Sequence, residues 1–160
     1  MRVEWQCKLC EKKFNSKKDI EKHLKIDHSV KNLLYDEYIQ PAITLKDTPV
    51  EFICDDSLYI WPLDEGIEMK LEDKGFLTDF AVNVVRNNGK HHLILAFIPK
   101  REFNLQEFKE FLDNTHKIVE DLIGNAINKT NIEIGCIEGE FGNISVSKPV
   151  GAIFYIIPLE

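Results

Sequence analysis

The sequence predicts an α+β protein in two parts. A small N-terminal unit holds a tight turn and a helix. After a helical connector comes a largely antiparallel sheet with one long packed helix. Three observations predict this. Two cysteines and two histidines, Cys7, Cys10, His23 and His28, cluster near the N-terminus. Short apolar segments punctuated by Asn, Asp and Gly fill the middle and the end. One apolar stripe recurs every three or four residues from Leu105 to Ile127.

The N-terminal stretch is the most specific. Two residues separate Cys7 from Cys10, twelve separate Cys10 from His23 and four separate His23 from His28. Two thiolates and two imidazoles complete a tetrahedral Zn2+ site with no open position. The Cys pair suits a tight β-turn, and the two His are expected on one face of the helix that follows. Trp5, Phe14 and Ile20 are the expected core residues beneath the metal. The stretch resembles a zinc finger of the two-cysteine, two-histidine (C₂H₂) type over about residues 3–30, with Ile20 where that family usually has Leu.

That resemblance implies a ββα unit whose helix can enter the DNA major groove. About 25 residues bury too little apolar surface to fold alone. Structural zinc supplies the missing free energy, about 10–16 kcal/mol at neutral pH. The helix is expected to start at Ser16, a good N-cap. The family's base-reading positions fall on Ser16, Asp19 and Lys22, with Lys18 alongside. Lys can donate to guanine and Asp can accept from cytosine, but no Arg stands at these positions. Lys12, Lys13, Lys17 and Lys25 are candidates for phosphate contact, which carries no sequence information. One finger covers only about 3 bp. DNA (or RNA) binding would therefore need a dimer, a second surface or a partner. The alternative is a finger that holds another protein.

Charge supports a division near residue 31, with a finger over 1–31 and an α+β domain over 32–160. Residues 1–31 carry nine basic and five acidic side chains, a net of +4. The remainder carries eleven basic and twenty-two acidic, a net of −11. Any nucleic-acid contact is thereby assigned to the basic head. The 160 residues are 44% hydrophobic, enough for a packed core, and contain no apolar run of membrane-spanning length. The start, Met-Arg-Val-Glu-Trp, has no apolar signal segment, so an intracellular protein is expected. Cys54 and Cys136 lie in apolar, strand-like surroundings and are expected to be buried reduced thiols.

Val30, Leu33, Leu34 and Tyr38 have helical spacing, and Pro41 is expected to stop that connector. Strands are expected at about 42–46, 50–54, 57–61, 67–72, 76–86 and 90–98. Asp55-Asp56-Ser57 and Asp64-Glu65-Gly66 read as turns, and Asn87-Asn88-Gly89 as a hairpin. Leu93, Leu95 and Phe97 alternate with Ile94, Ala96 and Ile98, which predicts a central strand covered on both faces. Asn104 with Glu107 forms a capping box for the long helix. The stripe of Leu105, Phe108, Leu112, Val119, Leu122 and Ala126, widened by Phe111, Ile118, Ile123 and Ile127, is read as lying on the sheet, with a dimer seam as the alternative. Three closing strands are expected at about 131–138, 142–147 and 151–157, with Pro149-Val150-Gly151 as a turn.

Catalytic patterns are sparse. His91 and His92 are adjacent on a strand, so their rings point to opposite faces and cannot share a metal; a solvated hairpin edge is expected. Asp55 or Asp56 with Glu68-Met69-Lys70 faintly resembles the acidic pattern of metal-dependent nucleases. His116 is expected at the surface. The reading is a binding protein rather than an enzyme, with the nuclease as third possibility.

Overall fold

The computed structural model describes residues 1–54 and 57–160, and the side chains of Ile53, Cys54 and Ser57 lie outside the description. By internal contacts the chain divides into two units, Met1–Pro49 and Val50–Glu160.

In the first unit, β1 (Arg2–Cys7), β2 (Lys13–Phe14) and α1 (Lys17–Asp27) follow the expected ββα order. The connector is not an α-helix. It is one short 3₁₀ segment, Asn32–Glu37, with no buried residue, and Leu33 is 96% exposed. Tyr38 caps it, and the chain at once enters β3 (Ile39–Leu45), which runs antiparallel along β1. Ile39, Pro41, Ile43 and Leu45 are buried, and Gln40, Ala42 and Thr44 are half-buried, a period of two. Pro41 therefore does not end a helix. It sits in a strand opposite Trp5. Among the described residues β4 (Thr48–Pro49) pairs only with Thr44 and Leu45, so β3 is an edge strand at Pro41, where a missing N–H is tolerated. The sheet order is β2-β1-β3-β4.

The second unit opens with two short antiparallel strands, β5 (Glu51–Cys54) and β6 (Ser57–Tyr59); the expected turn at Asp55-Asp56 lies outside the described residues. The expected strand at 67–72 is instead part of helix α2 (Leu63–Asp73). Leu63, Ile67 and Leu71 are spaced by four, Asp64 and Glu65 favour the first turn, and Gly66 is absorbed into the helix.

The main sheet is antiparallel, ordered β7-β8-β10-β9, from β7 (Thr78–Asn87), β8 (Lys90–Pro99), β9 (Asn131–Phe141) and β10 (Ile144–Pro158). Asn88 and Gly89 join β7 to β8, both with positive φ (53° and 75°), the geometry of a two-residue type I′ hairpin. β8 is central, as its doubly apolar pattern predicts. α3 (Leu105–Ile123) begins with the predicted capping box: Asn104 Oδ1 accepts from Glu107 N at 2.9 Å, and Glu107 Oε1 accepts from Asn104 N at 3.2 Å. It buries Phe111, Thr115, Val119, Leu122 and Ile123. Phe111, Val119, Leu122 and Ile123 belong to the expected stripe and Thr115 is added to it, whereas Leu105 is 73% exposed and Leu112 only half-buried. Gly124, with φ of 58°, ends the helix.

Only two strands close the chain, because Pro149-Val150-Gly151 is not a turn. β10 continues through it with a bulge between Val146 and Val150. Small residues on one sheet face, Ala81, Ala96 and Ala152, leave room for Phe141, Ile144, Val146 and Phe154 of the β9–β10 hairpin to pack over them. The Phe141 and Phe154 rings lie 5.7 Å apart. Cys136 is exposed on edge strand β9, a correction to the buried thiol expected there.

Candidate metal centre

Cys7 ends β1, and the backbone then folds back on itself. Glu11 N donates to Cys7 O at 2.8 Å, and Cys7 N donates to Lys12 O at 2.9 Å. Glu11 takes a positive φ of 65° to complete this knuckle. It places Cys7, fully buried, and Cys10, exposed, side by side. Ser16 caps α1 as predicted, accepting from Asp19 N at 3.1 Å. The helix turns Ile20, His23 and Leu24 inward. Trp5 and Ile20 are buried, Phe14 is half-buried with its ring 4.8 Å from that of His23, and Leu24 is a core residue the sequence reading missed.

The two histidines do not share a regular helical face. Five residues along an α-helix turn the direction by about 140°. Here the helix stops at Asp27, and His28 is its C-cap with φ of −121°. Leaving the helix lets the His28 ring swing to the same side as His23. The four ligand atoms of Cys7, Cys10, His23 and His28 lie within 4.8 Å of one another. His23 Nε2 is 3.2 Å from Cys10 Sγ and 3.2 Å from His28 Nε2. A tetrahedral zinc with ordinary Zn–S and Zn–N bonds has ligand-to-ligand edges of about 3.3–3.8 Å. Donor set and spacing therefore fit a closed, structural Zn2+ site.

Residues 5–26 match the family model described as zinc-finger of C2H2 type. This stretch is a C2H2 zinc finger. The match takes in Cys7, Cys10 and His23, and His28 follows just beyond it. No curated protein and no solved structure matches the chain. The finger's cofactor is structural zinc: all four positions are filled by protein ligands, leaving none for an activated water.

The residues proposed to read nucleic acid separate into two groups. Lys18, Asp19 and Lys22 are exposed on the outer face of α1. Ser16 is half-buried, its hydroxyl engaged as the cap. Lys17 is also half-buried; its Nζ lies 3.4 Å from Asp36 and 5.7 Å from the centre of the Trp5 ring. A second residue that sequence reasoning missed is Asp27, whose Oδ2 is 2.7 Å from His23 Nδ1. An acidic residue one turn after the first ligand histidine was the available signal.

Elsewhere, the His pair behaves differently from expectation. His91 is not on a solvated edge: its side chain is buried and its Nδ1 lies 2.9 Å from Glu160 Oε1, while His92 is half-buried. His116 is half-buried, 4.0 Å from Glu120. Of the acidic pattern, Asp55 and Asp56 lie outside the described residues. Glu68 accepts a hydrogen bond from Phe80 N at 3.1 Å, and Lys70 is exposed. Burial pushes the Glu68 carboxyl above its ordinary range; the Phe80 N–H opposes this, Asp79 and Asp64 add to it, and Lys100 opposes it. Among the described residues, the finger's Cys/His set is the one group of three or more side chains placed to hold a metal.

Proposed function

We propose that the protein binds nucleic acid through the finger, with duplex DNA as the first candidate, in a regulatory and non-catalytic role. The observation that carries this is the division of α1: Ile20, His23 and Leu24 face inward, and Lys18, Lys22 and Lys25 stand exposed on the other side. Lys8, Lys12 and Lys13 add exposed positive charge to the same unit. With Ser16 and Lys17 engaged, few side chains remain for base edges. The reading is therefore backbone-dominated binding of modest affinity and low sequence selectivity, sharpened by a dimer or a partner.

Replacing Lys18 and Lys22 together by Glu tests it, because neither residue touches the metal. Wild-type protein should bind duplex with an affinity that falls steeply with salt. The double variant should lose binding, or flatten the salt slope by about one unit per lost phosphate contact, with zinc content intact. Absence of binding to DNA and RNA at low salt would overturn the proposal.

A second reading, a finger that contacts protein, is favoured by the apolar side chains exposed in the same unit. Leu9, Ile26 and Leu33 are 47%, 64% and 96% exposed. Binding of protein to this surface would be largely insensitive to salt, which separates the two readings.

A further inference from the structure

Asp27 is the last residue of α1, and local preference argues against an acid there. The helix C-terminus carries partial negative charge and disfavours a carboxylate by about 0.3–1 kcal/mol. Asp is also a poor helix former. A residue that breaks local rules is expected where function repays it.

The geometry supplies that function. Asp27 follows His23 by four residues, one turn along the same helical face. Its Oδ2 lies 2.7 Å from His23 Nδ1, in the range of a charge-assisted hydrogen bond. The opposite ring nitrogen, Nε2, lies 3.2 Å from both Cys10 Sγ and His28 Nε2. The two nitrogens therefore have separate partners, a carboxylate on one side and the ligand cluster on the other. The His23 side chain is 6% exposed and that of Asp27 is 55% exposed. The carboxylate thus reaches in from the surface to a ring already walled on one side by Phe14.

We propose that Asp27 is a positioning residue of the zinc site: its carboxylate accepts the Nδ1 hydrogen of His23 and holds the ring in the tautomer whose Nε2 lone pair faces the metal. An imidazole with both choices open would spend part of its time with Nε2 protonated and unable to ligate. Fixing the tautomer before metal arrives removes that cost, as outer-shell carboxylates do in other zinc sites. Asp27 acts on the metal centre alone, whichever partner the finger takes.

The test uses the full chain. Zinc affinity is measured by competition with a chromophoric chelator for wild type, Asp27→Ala and Asp27→Asn. Alanine should weaken zinc binding about 10–100-fold. Asparagine keeps an oxygen acceptor at the same reach and should recover most of the loss. A merely structural role would not move the second readout, the ¹⁵N chemical shifts of His23 in zinc-loaded protein. These should show Nδ1 protonated and Nε2 metal-bound in wild type, with the Nδ1 hydrogen exchanging faster in Asp27→Ala. Unchanged affinity in Asp27→Ala, loss in Asp27→Asn as large as in Asp27→Ala, or metal bound through Nδ1 would each overturn the proposal.

Discussion

Tyr155 donates its hydroxyl hydrogen to Thr115 across 2.9 Å, and neither residue is exposed to solvent. The direction follows from counting hydrogens. Thr115 Oγ1 already donates its single hydrogen to Leu112 O at 3.0 Å, so toward Tyr155 it can only accept. This polar link ties α3 to β10 in the middle of an aromatic group, with Phe97 5.8 Å and the His116 ring 6.3 Å from the Tyr155 ring.

Thr115→Val keeps the shape of the side chain and removes the acceptor. The buried phenol hydroxyl is then unsatisfied, which should destabilise the C-terminal unit by about 1–3 kcal/mol. Tyr155→Phe alone frees only Thr115, which keeps its bond to Leu112. The double variant should therefore be more stable than the sum of the single effects predicts. Urea unfolding of all four proteins measures this. Simple additivity would show that the pair is not coupled.

Glu68 should make stability fall as pH rises out of the acid range. Its carboxyl, raised by burial, holds its proton more tightly in the folded protein than in the unfolded chain. Between the ordinary carboxylate value and the raised one, the folded state binds more protons, so stability drops with increasing pH through that window and stays lower above it. Glu68→Gln keeps an oxygen for Phe80 N and carries no charge to desolvate. The variant should melt higher than wild type at neutral pH, and the gap should close at acid pH. A gap independent of pH would point to packing instead.

Chelating zinc should unfold the finger and leave the second unit in place. The finger depends on its metal for most of its folding free energy. Val50–Glu160 has its own sheet and buried residues, among them Leu93, Leu95, Phe97 and Tyr155. Amide exchange after addition of chelator should lose protection at Ile20, His23 and Leu24 and retain it along β8 and β10.

What was legible in the sequence was local. Zinc imposes its own spacing on Cys7, Cys10, His23 and His28, and the Asn104–Glu107 cap and the Asn88-Gly89 turn each lie within four residues of chain. β8 was legible because burial on both faces writes itself into every position. What was missed depends on partners distant in sequence. Nothing near His91 announces Glu160, and nothing near Trp5 announces Pro41. The run 67–72 is apolar enough for either element; only Leu63, outside it, completes the helical spacing. The bulge at Val146/Val150 imitates a turn because both use Pro and Gly to break the ladder. Cys136 has a strand's sequence, but its strand lies at the edge of the sheet.

The pairing of β3 with β1 leads to the last prediction. Cys7 stands opposite Ile39, Gln6 opposite Gln40 and Trp5 opposite Pro41, and Lys8 N donates to Tyr38 O at 2.9 Å. β3 therefore holds the strand that delivers the first ligand, and it does so on the side away from β2. A peptide of residues 1–31 keeps every zinc ligand and loses that support; a peptide of residues 1–49 keeps both. Each backbone hydrogen bond contributes about 0.5–1.5 kcal/mol net, and a difference of about 1.4 kcal/mol is tenfold in affinity. Because folding and metal binding are one process in such a unit, the lost pairing should appear directly in the metal titration. The shorter peptide should bind zinc at least about tenfold more weakly than the longer one, and its helix should melt at lower temperature when loaded. Equal affinities would mean that β1, β2 and α1 reach their full stability from the metal alone, and that β3 is held by the finger without holding it in return.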